Sequence, residues 1–389
     1  MDTYPVLVVG AKPEILQRLT TAFGHQQVRA AEDAAAARAS LQKARPASAV
    51  VPVGTPALTD SLHVVAELAG QGVPVVAIGA RKDPDVILAA MRAGAREYLL
   101  EGEDERLEKT IHRFLESSGH RLGSITAVFP AKGGMGATTI ATNLAGVLSR
   151  RGNRVCLADL DLELGDVLSF LDLKGTYSLA DVAMNAKRLD RDLLDSSVPR
   201  HAAGMWVLSQ CEKVEDGDRL EAGGVGGVLR FLRPLYHHVI LDGLRDLGDV
   251  SLASLDLADR ILLVTTQEVP AVRSAQRCAQ IFRKLGYDRK QVMLVVNRYQ
   301  KGSTITREVI EETVGMPVAA MIGNDFASLS RAVNAGALVW DEAPRSVVAR
   351  DIEALARAIG PEAPDAAAPE RASFLRKIFS RPEALHGAE

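Results

Sequence analysis

The chain has 389 residues, 47% of them hydrophobic and 24% charged, with a formal net charge of −3. Such a length asks for two or three domains, and the balance of residues describes globular cores, excluding a disordered chain and a wholesale polyanion binder. The three cysteines, Cys156, Cys211 and Cys278, are far apart and odd in number, which excludes a disulfide framework or a zinc site and reads as free thiols in a reducing cytoplasm.

In chain order, residues 6–9, 49–53, 73–78 and 98–100 read as short strands, and 13–23, 31–44, 61–69 and 84–93 as helices. This alternation predicts a small parallel α/β domain. A charged helix over 101–118 runs into the soft break Ser117-Ser118-Gly119, so the first domain is expected to span 1–118. From 124 to 360 the alternation repeats on a larger scale, with strands expected at 124–129, 154–158, 205–209, 238–241, 261–265 and 292–296. Their nearly continuous apolar character is that of strands covered by helices on both faces. Residues 361–389 read as a flexible linker followed by a short basic tail. No apolar run reaches the roughly 18 residues of a membrane span, and the N-terminus lacks a basic leader, so a cytosolic protein is expected.

The loop between the first large-domain strand and its helix reads Lys132-Gly133-Gly134-Met135-Gly136-Ala137-Thr138-Thr139. A glycine-rich turn from a strand into a helix lets backbone N–H groups converge on a phosphate. The usual pattern G-x-x-x-x-G-K-[ST] fails twice, with Ala131 at the first glycine and Ala137 at the lysine. Residues 133–139 are the candidate nucleotide contacts, with Thr138 also at the Mg²⁺ position. Three strand ends follow. Asp159 and Asp161 share one side of a strand's end, His238-Val239-Ile240-Leu241-Asp242 is an apolar strand ending in a carboxylate, and Asn297 offers an amide to adenine. The carboxylates suit Mg²⁺-water contact, Asp159 and Asp242 through water; taken singly, each equally suits a strand-end cap.

Residues 124–345 resemble the MinD/ParA family of deviant Walker ATPases, whose signature is the front lysine of K-G-G-x-G-K-T-T. The resemblance implies ATP and Mg²⁺ as cofactors and a nucleotide-sandwich homodimer. In that family the front lysine, matched here by Lys132, reaches the phosphates bound by the other subunit, and the carboxylate matched by Asp161 positions the attacking water. It also places Asp325 near the base. Ala137 departs from the pattern, and losing a charge-assisted phosphate contact implies weak or slow hydrolysis.

Residues 4–116 resemble a response-regulator receiver stripped of its chemistry. Gly10-Ala11 stands at the acidic pair, Pro52 at the phosphoacceptor, Gly79 at the hydroxyl and Glu101 near the lysine, while the scaffold phrase Ala93-Gly94-Ala95-Arg96-Glu97-Tyr98-Leu99 is kept. The expected fold is thus a flavodoxin-like parallel α/β domain followed by a MinD/ParA-like P-loop α/β domain. A pseudo-receiver ahead of such an ATPase is the arrangement of the TadZ/CpaE family. The implied role is a dimerising scaffold that localises a tight-adherence pilus machine, often at a cell pole. Its implied partners are a secretion motor ATPase or inner-membrane platform proteins.

The tail places Phe374, Leu375, Ile378 and Phe379 on one helical face among Arg371, Arg376, Lys377 and Arg381, a pattern for peripheral membrane contact through 371–381 or for packing on its own domain. Nine basic residues and one acid lie between Arg273 and Arg307. They read as solvated helix surfaces in preference to a DNA face, so nucleic acid is not expected as a partner; a ParA-like partition ATPase is the alternative.

Overall fold

The computed structural model describes residues 5–10, 12–23, 27–43, 45–54, 58–117, 123–162, 165–175, 177–185, 191–209 and 221–360. Its first sheet is built from β1 (Val6–Val9), β2 (Val28–Ala31), β3 (Ser48–Pro52), β4 (Val75–Gly79) and β5 (Glu97–Leu100). All pairings are parallel and the spatial order is β2-β1-β3-β4-β5, the flavodoxin-like order. The strands are short and β-branched because both faces are covered. Leu7, Val51 and Ala77 pack into one cluster, and Val8, Val50 and Ile78 into the other, as the two-residue period of a strand requires.

The second sheet comprises β6 (Ser124–Pro130), β7 (Val155–Asp159), β8 (Trp206–Leu208), β9 (His238–Asp242), β10 (Arg260–Thr266), β11 (Val292–Tyr299) and β12 (Val318–Gly323). It too is parallel, in the order β12-β11-β10-β6-β9-β7-β8. Phe129, Leu241 and Leu263 face one helical layer, while Val128, Ile240 and Leu262 face the other. After β6 the chain winds out to β7 and β8, returns at β9, and then crosses to β10. That reversal puts a crevice at the carboxyl ends of β6, β7 and β9.

Two strands escape the sequence reading. β2 and β12 lie at sheet edges and are partly exposed; Arg29 interrupts Val28-Arg29-Ala30-Ala31, and Val318-Ala319-Ala320-Met321, though apolar, has two alanines where the recognised strands carry bulkier residues. The helix expected from residue 31 starts at Ala34, and Ala31 closes β2.

At the opposite end of the second sheet, His238 is 5% exposed, its Nδ1 2.8 Å from the Ser124 hydroxyl. Burial, then the charges of His237 and Arg260, push its pKa down to about 4. An unfolded histidine titrates near 6.5, so between those values the unfolded chain holds the proton and the folded chain does not. This contribution to stability is present above pH ~6.5 and lost as pH falls towards 4. A His238→Asn variant is therefore expected to lose less melting temperature than the parent over that range. Parallel melting curves for the two proteins would remove this account.

Candidate functional site

The crevice is a cleft of about 480 Å³ whose floor is the loop after β6. The loop is held from beneath: the Ala131 N–H donates to the Val264 carbonyl at 2.8 Å, and Met135, 7% exposed, sinks into the core with the Thr266 hydroxyl 3.5 Å from its sulfur. Asn297 Nδ2 donates to the Met135 carbonyl at 2.8 Å. Gly134 and Gly136 adopt φ of 79° and 81°, a left-handed conformation that costs other residues energy. Gly136 caps the helix Ala137–Arg150 with no side-chain cap bond. The first-turn N–H groups of Ala137, Thr138 and Thr139 therefore stand at the cleft without a capping side chain, which is the anion-binding arrangement of a helix N-terminus. The helix is steadied by Asn143, which donates to the Thr139 carbonyl and accepts from the Val339 N–H.

Facing the loop are the carboxylates of β7 and β9. Asp159 and Asp242 are direct partners in the parallel register, and Asp161 follows two residues on. Gly243, at φ 80°, lets β9 press against them; a Cβ there would collide with the Asp161 backbone nitrogen and the Asp159 carboxylate. Asp159 accepts from the N–H groups of Asp161 and Val167 at 3.1 and 3.3 Å, which ties both to its carboxylate. Burial, reinforced by Asp242, pushes Asp159 up to about 7. Burial pushes Asp242 up to about 6 against a hydrogen bond from the Thr138 hydroxyl. Two buried carboxylates resisting ionisation describe a site that favours a cation.

Mg²⁺, implied by the family resemblance, fits these residues. Asp242 Oδ1 is buried with no hydrogen-bond partner, and Thr138 stands beside it. No group of three or more His, Cys, Asp or Glu able to ligate a metal directly occurs among the described residues. A magnesium ion here would therefore draw most of its ligands from phosphate and water, as Mg²⁺ ordinarily does.

The structure thus brings Gly133, Gly134, Met135, Gly136, Ala137, Thr138, Thr139, Asp159, Asp161 and Asp242 to one cleft. The Met135 side chain belongs to the core, and its carbonyl is the Asn297 anchor. The Asn297 amide, 6% exposed, is committed to the loop and does not line the cleft. Asp325 also lies off the cleft lining and caps the helix Phe326–Asn334, accepting from the Ser328 N–H at 3.1 Å. Lys132 is exposed at the front of the loop, outside the cleft lining, and makes no bond to any described residue. Among the lining residues that were not anticipated are two arginines. Arg245, from the turn after β9, forms an ion pair with Asp161. Arg298, at the end of β11, stands at φ 51°, rare for a side chain of its size. Their signal in the sequence was position alone: each follows a strand end already picked out.

The equivalent edge of the first sheet carries Pro52, Gly79 and Glu101. Lys12 Nζ pairs with Glu101 at 2.7 Å. Tyr98 lies across Gly79, its hydroxyl donating to the Arg81 carbonyl at 3.0 Å, and a Cβ on Gly79 would collide with that hydroxyl. Gly79→Ser is expected to cost roughly 1–3 kcal/mol in urea unfolding, and Tyr98→Ala in the same chain to recover part of it. An undiminished midpoint for Gly79→Ser would show that Tyr98 yields freely.

Of the remaining expectations, Cys211, the linker and the tail 371–381 lie outside the described residues. Cys156 is buried and Cys278 partly so, both free. All nine basic residues between Arg273 and Arg307 are exposed. Among the described residues no helix is long and apolar enough to cross a membrane.

Residues 126–339 match the family model for the CobQ/CobB/MinD/ParA nucleotide binding domain. The septum site-determining protein MinD of Thermotoga maritima is 27% identical over 245 residues, covering 61% of this chain and 88% of that protein. Among solved structures, a ParA family ATPase from Chlorobium tepidum superposes with a TM-score of 0.57 at 25% identity, covering 60% of this chain and 98% of its own. MinD from Pyrococcus horikoshii, solved with Mg-ADP, superposes with a TM-score of 0.54 at 20% identity, over 61% and 96% of the two chains, a likeness of fold.

Proposed function

This chain belongs to the CobQ/CobB/MinD/ParA family of nucleotide-binding domains, and on that premise we propose that it holds ATP with Mg²⁺ between two copies of itself and serves as a dimerising scaffold with slow turnover. The observation that carries the reading is the cleft itself. An uncapped helix N-terminus on a glycine-rich loop faces the buried, partnerless Asp242 Oδ1, while the position of the usual phosphate lysine is filled by Ala137. Phosphates bind such a loop through backbone N–H groups. Magnesium, held by Thr138 and through water by Asp242 and Asp159, would supply the neutralising charge. Asp161 is the residue to orient a water, and Lys132 the one to reach a second copy. The P. horikoshii relative, whose structure contains Mg-ADP, supports the choice of ligand.

The finer reading assigns the chain to the TadZ/CpaE type. Residues 1–118 serve as a receiver-derived docking module, 124–360 as the ATP-holding domain, and 361–389 as linker and tail. The exchange of charge at Lys12 and Glu101, opposite to the receiver pattern, supports a module kept for its surface and not for phosphoryl transfer. Its task is to place a tight-adherence pilus machine at the inner membrane, through a motor ATPase or platform protein. The direct test is molar mass by light scattering with and without ATP–Mg²⁺. A dimer with ATP and a monomer without it is expected, and a monomer in both overturns the reading. Surface pili that persist after deletion of the gene would remove the pilus assignment alone.

A further inference from the structure

The cleft is unusually acidic for a phosphate site. Asp159, Asp161, Asp166 and Asp242 all line it, and Ala137 contributes no charge. Triphosphate adds several negative charges, so a neutralising group fixed to the protein would raise affinity more here than in an ordinary phosphate loop. Lys132 does not line the cleft of its own chain. Two basic side chains do: Arg298 at the end of β11 and, on the carboxylate side, Arg245, three residues beyond Asp242, whose charge already acts on Asp242.

Its attachment bears on its role. The Arg245 side chain is more than half exposed and its guanidinium is tethered by an ion pair to Asp161, whose own side chain is 8% exposed. The tether is an ion pair at the mouth of the cleft. A planar guanidinium fork matches phosphate oxygens as well as carboxylate oxygens and can exchange one for the other.

We propose that Arg245 is the phosphate-binding cation of this site, standing in for the lysine that Ala137 has displaced, and that Asp161 is its storage partner. Phosphate oxygens entering the loop take the guanidinium from Asp161. The same exchange frees the Asp161 carboxylate, so binding of phosphate and availability of Asp161 are coupled. The inference deepens the ATP-holding reading and rests on it.

The test is ATP–Mg²⁺ affinity, measured by calorimetry on the full chain and on the variants Arg245→Ala, Arg245→Lys, Ala137→Lys and the double variant Ala137→Lys/Arg245→Ala, each first checked for an unchanged melting curve without nucleotide. Arg245→Ala is expected to weaken binding about ten- to hundred-fold, the scale of a charge-assisted contact, and Arg245→Lys to lose less. Ala137→Lys is expected to restore affinity in the Arg245→Ala chain and to add little to the parent. Arg245→Ala binding within about twofold of the parent overturns the proposal, as does an equal gain from Ala137→Lys in both backgrounds, since independent sites add. A parent protein that binds no adenine nucleotide removes the ATP-holding reading itself, an outcome distinct from the other two.

Discussion

Gly136→Ala is expected to be among the most damaging single-methyl additions in the chain. At φ 81° an alanine is strained, and its Cβ would collide with the Asn297 amide nitrogen. That nitrogen cannot retreat freely, because it donates to the Met135 carbonyl at 2.8 Å from a buried position. Strain and a broken buried hydrogen bond together are worth roughly 2–4 kcal/mol. The loss falls on the loop that presents its N–H groups to phosphate, so both the melting temperature and ATP affinity should drop, the latter by about thirty-fold or more. Asn297→Ala alone costs the hydrogen bond but leaves room for the methyl, so the Gly136→Ala/Asn297→Ala chain should be less damaged than the sum of its parts. Strict additivity in urea titrations would mean that the backbone, and not Asn297, is what the methyl offends.

This coupling marks the boundary of what the sequence disclosed. Most strands of both sheets announce themselves as bulky apolar runs because parallel strands are covered on each face; β2, cut by Arg29, and β12, rich in alanine and partly exposed, do not. The loop and its acids were legible for a different reason. They stand at strand ends, where a change from apolar to Gly or Asp is abrupt. Contacts that join such ends across the sheet leave no periodic trace. Asn297 anchors Met135 from 162 residues away, and Gly243 is small because Asp159 and Asp161 crowd it. Tyr98 occupies the space that Gly79 vacates. In one dimension Asn297 looked like a ligand contact and Gly79 like a missing hydroxyl. Three dimensions show Asn297 Nδ2 fastening the loop and Asp325 capping a helix, roles that the sequence did not announce.

Ala137 and Lys132 must also be understood together. In a loop with its own lysine, a front lysine would be a second cation; here it is the sole cation of the loop. It is exposed, outside the lining of its own cleft and bound to no described residue, so its charge is available to another molecule. If two copies face each other across their nucleotides, each Lys132 meets the phosphates of the opposite chain, and the contact occurs twice per dimer. Charge-assisted hydrogen bonds contribute about 1.5–3 kcal/mol each, so Lys132→Ala is expected to weaken ATP-dependent dimerisation by at least about a hundred-fold. Light scattering should then show a monomer at concentrations where the parent is a dimer with ATP–Mg²⁺. Binding of ATP to the isolated chain should suffer less, because the N–H groups of residues 137–139 and the Asp242 side of the cleft are untouched. Unaltered dimerisation of Lys132→Ala would place the subunit contact elsewhere. An equal loss of ATP binding and dimerisation would instead make Lys132 a ligand of its own nucleotide, and would separate this loop from the cross-subunit pattern that its sequence resembles.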